Sequence, residues 1–232
     1  MTTATAAPAR HAAPSADAAP RPRWTWLGVG AGVLGFVATM VTGTGTSDPG
    51  VGPNILDDVS QRATHIGGAL GYVAVAILLV LAACWRTRII QRVPDNVAAR
   101  LVADGLVASA AALTFGYGWK LALSLYGPGG PEDDAFGREG QFVYYMLNDF
   151  GPWIGYLGVV VAAGAVAWLG LRDRLVSKWL GIVSLIPPLA VLFMSCTMSI
   201  AGFPGVVGPV WLIIAFAGLS LGKHQLTGTV KE

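Results

Sequence analysis

Apolar residues in this chain fall into six long runs separated by short polar islands. The runs are Trp24–Gly43, Ile66–Trp85, Leu101–Tyr126, Phe150–Leu171, Trp179–Ala201 and Gly205–Gly222. Each is near the ~20 residues that a helix needs to cross a ~30 Å hydrocarbon layer. Backbone groups in lipid have no water to bond, so such runs are helical. A β-barrel would show alternation in segments of about ten residues, and these runs do not alternate. The pattern predicts an all-α polytopic membrane protein with six transmembrane helices.

Composition sharpens the picture at the ends of the chain. Of 232 residues, 54% are hydrophobic and 12% charged, against about 25% charged in soluble domains. Residues 1–23, MTTATAAPARHAAPSADAAPRPR, are rich in Ala and Pro. They cannot bury a core and are read as a disordered tail. A cleaved signal peptide is the competing reading, but the first apolar run is long and VTGTGTS is a weak cleavage pattern. Residues 223–232 form a second short tail.

Charge then sets the threading. Arg10, Arg21 and Arg23 precede the first run, and Arg86, Arg88, Arg92 and Arg100 lie between the second and third. Arg172, Arg174 and Lys178 lie between the fourth and fifth, and Lys223 and Lys231 follow the sixth. The other connections are poor in basic residues. The first holds Arg62 with Asp48, Asp57 and Asp58, and the third holds Arg138 with Glu132, Asp133, Asp134 and Glu139. Basic loops stay on the cytoplasmic side, so both termini are expected in the cytoplasm of a cell whose plasma membrane holds the bundle. The tryptophans are expected at the interfaces, with Trp211 near an outer end. Cys84 and Cys196 are expected at opposite ends, too far apart for a disulfide.

Few polar groups could carry chemistry. Asp149 precedes the fourth run about 31 Å before Gly170, at the outer boundary. Asn148 or Asp149 is expected to cap that helix, with Pro152 in its first turn. Lys120 lies ~28 Å along the third helix, so a Lys120–Asp149 ion pair is a candidate, against a lysine that reaches the headgroups alone. Asp104 is a carboxylate at the inner face, beside arginines. Residues 54–65 are expected to form a short amphipathic helix on the outer surface, with Asp58, Arg62 and His65 on its polar face. Arg62 between the other two argues against a metal there, since zinc wants three good donors. The acidic stretch 132–139 crowds four carboxylates into eight residues. Its spacing is not that of an EF-hand, and it reads as a solvated loop.

The fifth run contains Pro187 and Pro188, which remove two backbone donors and predict a kink or break. Ser184 is a candidate partner for the freed carbonyls. The polar run Met194–Ser199, with Ser195 and Thr197, follows. Broken helices with polar flanks mark transporter sites, and they also serve packing. Small residues recur at four-residue spacing: Gly28 and Gly32, Ala31 and Gly35, Gly67 and Gly71, Gly151 and Gly155, Gly218 and Gly222. They predict close helix packing, within the chain or against another subunit. The histidines, His11, His65 and His224, lie outside the runs. That excludes a bis-histidine haem and gives serine catalysis no histidine at membrane depth. No phosphate loop, HExxH or GxSxG is present. No cofactor and no nucleic-acid partner are expected.

The stretches HIGGALGYVAVAILLVLAACWRTR and LVSKWLGIVSLIPPLAVLFM…GFPGVVGPVWLIIAFAGLSLGK carry a resemblance. They resemble the six-helix inner-membrane proteins of actinobacterial type, which have no assigned chemistry. The resemblance implies location and not a substrate. Lack of central charge points first to a non-catalytic accessory, assembly or regulatory subunit packed against a membrane partner or a second copy. The alternatives are a small-solute transporter or channel at Pro187–Pro188, and an enzyme acting on a lipid or isoprenoid, with Asp149, Asp58 or Asp57 as acid or base.

Overall fold

The computed structural model describes residues 23–41 and 52–221. The segments 1–22, 42–51 and 222–232, with the expected disordered tail, Asp48, His11, His224 and Gly222, lie outside the described residues. The described residues form seven α-helices: α1 Trp26–Met40, α2 Gln61–Arg88, α3 Val97–Tyr126, α4 Arg138–Ile154, α5 Leu157–Leu171, α6 Lys178–Met198 and α7 Pro204–Leu221. A short 3-10 helix spans Pro53–Asp58. No strand occurs among the described residues.

Among the described residues five helical stretches are long and apolar enough to cross a membrane: Gln61–Arg92, Val97–Tyr126, Arg138–Leu171, Lys178–Met198 and Pro204–Leu221. The described part of the first run is shorter. Its 15-residue α1 rises only about 22 Å.

Apart from α4 and α5, which follow one another in the same direction, successive helices run antiparallel, so like chain ends gather. At one end Thr25 bonds Ser220 at 2.6 Å, Arg86 meets Asp104 at 3.1 Å, and Asn96 Nδ2 donates to Asp173 at 2.7 Å. We call this the arginine end. The opposite end holds the 3-10 helix, the start of α2 and the α3–α4 connection, and is called the acidic-loop end. α1 lies between α2 and α7, and α3 packs on α2, α4 and α5. α6 sits at the margin, on α5 and α7. Near the arginine end Trp24, Trp85 and Phe216 form an edge-to-face cluster with centroids 6.3 to 6.5 Å apart.

Several boundaries differ from expectation. α2 begins at Gln61, not Ile66. Ser60 caps it, its hydroxyl accepting from the Ala63 N–H at 3.3 Å. The amphipathic surface helix expected over 54–65 is therefore two pieces, the 3-10 helix carrying Asp57 and Asp58, and the first turn of α2 carrying Arg62 and His65. α3 begins at Val97 because the Asn96 side chain accepts from Ala99 N–H at 2.9 Å.

The expected fourth helix is two helices in near continuity. α4 starts at Arg138, so Asp149 is well inside it and is not a cap, and Pro152 lies in its last turn. Proline has no N–H for the carbonyl four residues back, and the chain turns through Gly155–Tyr156 before α5. The restart is satisfied from outside, where the Val159 N–H donates to Ser109 Oγ of α3 at 2.8 Å.

α6 is unbroken across Pro187 and Pro188. Of the expected kink or break, the break is absent, although both prolines lack a donor. Trp211, expected near an interface, is the eighth residue of α7 and buried.

The glycine pairs are used within the chain. Gly116 and Gly151 let α3 and α4 touch, and a Cβ on Gly116 would lie 2.6 Å from the Gly151 backbone. Gly28 receives the Phe216 ring, and Gly71 receives Tyr117.

Candidate functional site

The last carbonyls of any helix lack intrahelical donors and carry the negative end of its dipole. At the end of α1 these oxygens point into the bundle, where Lys120 meets them. Its Nζ donates to the Ala38 carbonyl at 2.8 Å, to Val41 at 2.9 Å and, more weakly, to Thr39 at 3.5 Å. An ammonium has three donors and no acceptor, and these three carbonyls use them. Lys120 has no exposed surface at all. The lysine stem passes over Gly67, where a Cβ would come 3.2 Å from Lys120 Cδ and 3.0 Å from the Val41 carbonyl.

Three residues earlier on the same helix, Tyr117 extends the contact. Its hydroxyl lies 2.9 Å from Thr39 Oγ1, 3.2 Å from the Gly35 carbonyl and 3.2 Å from the Tyr156 hydroxyl. Tyr156 comes from the α4–α5 junction, and a Cβ on Gly35 would lie 1.8 Å from its hydroxyl oxygen. Thr39, Tyr117, Lys120 and Tyr156 thus tie α1, α3 and α5 together in a buried polar cluster. Sequence reasoning singled out only Lys120. The signal for the rest was the pairing of small Gly35 and Gly71 with large hydroxylated rings, which no linear spacing connects.

The Lys120–Asp149 ion pair is not made. The two charges act on each other, but no contact within 4 Å joins them among the described residues. Lys120 points to α1, and Asp149 is exposed on α4. Its neighbour Asn148 is 2% exposed, and its Oδ1 has no partner. The Asn148 carbonyl also loses its helical donor to Pro152.

The other predicted residues are dispersed. Asp57 accepts from Arg138 at 2.9 Å, which joins the 3-10 helix to α4. Asp58 is exposed beside it. Asp104 pairs with Arg86, while Arg100 turns back to the Pro94 carbonyl. In α6, Ser184 accepts from the Trp211 indole N–H at 2.9 Å. It therefore links two helices. Ser195 and Thr197 are exposed, and Thr197 bonds back to the Phe193 carbonyl at 2.7 Å. In the acidic loop Asp133 accepts from the Gly129 N–H at 3.3 Å. No group of three metal-ligating side chains occurs among the described residues. Both cysteines are free.

Recesses mark the surface of the described residues at two places of note. One, of about 410 Å³, lies at the acidic-loop end between the start of α2 and the end of α3, with Arg62 and His65 at its wall. The other, of about 170 Å³, is a wholly apolar groove between α6 and α7, floored by Pro187 and Trp211. No known protein family, curated protein or solved structure matches this chain.

Proposed function

We propose that this is a multi-pass plasma-membrane protein that serves as a non-catalytic accessory, assembly or regulatory subunit. In this reading six helices cross the bilayer, α4 and α5 together making one, and both ends of the chain face the cytoplasm. The gathering of Arg86, Arg88, Arg92, Arg172, Arg174 and Lys178 at one end supports that orientation.

The observation that carries the subunit reading is the marginal place of α6. Only 22% of its apolar stretch is buried, against 44% to 61% for the other four long apolar stretches among the described residues. Its open face presents Ile182, Ile186, Leu189 and Phe193, and then the exposed small polar groups of Ser195, Cys196 and Thr197. Lipid can cover the apolar part. Serine and threonine on an open helix face favour a second helix, because hydroxyls bond across such contacts. The transporter alternative rested on a broken helix, and α6 is continuous. The enzyme alternative rested on three carboxylates, of which Asp57 is held by Arg138.

Cys196 is exposed on this face and gives the test. A thiol-directed cross-linker in native membranes, with Cys84→Ala removing the other thiol, should trap a second polypeptide at Cys196. A chain that stays monomeric under conditions that cross-link a known membrane complex sinks the proposal.

A further inference from the structure

We infer that the recess at the acidic-loop end binds the phosphate group of a phosphate ester with an apolar body, such as a membrane lipid. Arg62 and His65 stand at its wall, one turn apart on the same face of α2. Arg62 makes no ion pair or hydrogen bond among the described residues. Among the described residues Arg138 is committed to Asp57, and Asp133 accepts within its own loop. Gln61 is likewise committed, its amide donating to the Ser124 carbonyl at 3.2 Å, and the Ser124 hydroxyl donates to Leu121 at 2.7 Å. Among the described residues the guanidinium and the imidazole have no hydrogen-bond or ion-pair partner, and both line an open volume of about 410 Å³. A guanidinium presents a planar fork of N–H groups that fits two phosphate oxygens.

The apolar part of the recess argues for an ester over a bare ion. Leu121 and Leu125 line it. Along α2 from His65 runs an exposed stripe, Ile66, Ala69 and Val73, at helical spacing. A phosphate held by Arg62 and His65 places its apolar substituent along that stripe, in the direction of the hydrocarbon layer. The dipole of α2 adds to the attraction, but the recess and the two uncommitted side chains make the site.

The test uses the purified full chain in mild detergent. Dihexanoyl phosphatidylglycerol, dihexanoylglycerol without phosphate, and inorganic phosphate are each titrated, and the thermal midpoint is read by tryptophan fluorescence. The phosphate ester should give a saturable upward shift, and the double variant Arg62→Gln/His65→Gln should weaken it at least about tenfold. Arg86→Gln, at the opposite end, should leave it unchanged. An equal shift with inorganic phosphate alone keeps the phosphate site and names the free ion as its ligand. An equal shift with the phosphate-free diacylglycerol, no saturable shift at all, or the same weakening in Arg86→Gln overturns the proposal.

Discussion

The Lys120 ammonium closes the end of α1, 2.8 Å from the carbonyl oxygen of Ala38. A buried cation is tolerated here because backbone carbonyl dipoles take up its donors, with no carboxylate in contact with it. A hydrogen bond to a charged group contributes about 1.5–3 kcal/mol, and orphaned acceptors cost a similar amount when their donor is removed. Lys120→Met should therefore lower the thermal midpoint by several degrees, while Asp149→Asn, which removes a charge that does not touch Lys120, should change it little. Comparable losses in both would mean that the two residues act as a pair.

Tyr117 is the hub of the hydroxyl cluster and Tyr156 is a spoke. Tyr117→Phe should destabilise more than Tyr156→Phe, because it removes contacts to Thr39, Gly35 and Tyr156 together. The double variant should fall short of the sum, since one bond is shared. Interaction energies of about 0.5–3 kcal/mol are usual in such networks. A double-mutant cycle read by denaturant or thermal unfolding checks this, and strict additivity would refute it.

Two glycines should behave oppositely. A Cβ on Gly116 meets the backbone of Gly151 and Pro152, while a Cβ on Gly30 meets nothing within 4 Å. Gly116→Ala should force α3 and α4 apart and reduce the yield of folded protein. Gly30→Ala should be neutral or stabilising by up to about 1 kcal/mol, the ordinary helix preference for alanine. Thermal midpoints of the two variants give the comparison directly.

Asn148 carries an acceptor buried without a partner. Removing an unsatisfied buried polar group relieves a desolvation penalty of about 1–3 kcal/mol. Asn148→Leu, of similar size, should hold or raise the thermal midpoint. A clear loss of stability would reveal a bound water or ligand donor at that oxygen.

The apolar runs alone determined that the described chain is helical and where most helices lie, because unpaired backbone groups are not tolerated in an apolar medium. They also determined which helix ends gather, since the clusters of basic residues fall outside the runs, on alternate connections. Local capping moved the boundaries. Ser60 and Asn96 started helices earlier than the hydropathy pattern did, since a side-chain oxygen can satisfy a free N–H outside the apolar stretch. The destination of Lys120 was settled only in three dimensions. Residue counting puts Lys120 and Asp149 at one height. It does not give the direction around each helix axis relative to its neighbours, because that depends on the order in which helices pack. The same holds for α6. Proline chemistry predicted a kink or break at Pro187 and Pro188, and the helix continues without a break, with Ser184 tied to Trp211 of α7 beside it. Linear sequence records which groups need partners. Only the packed bundle decided which partners they found, because the helix–helix contacts that supply them join residues far apart in the chain.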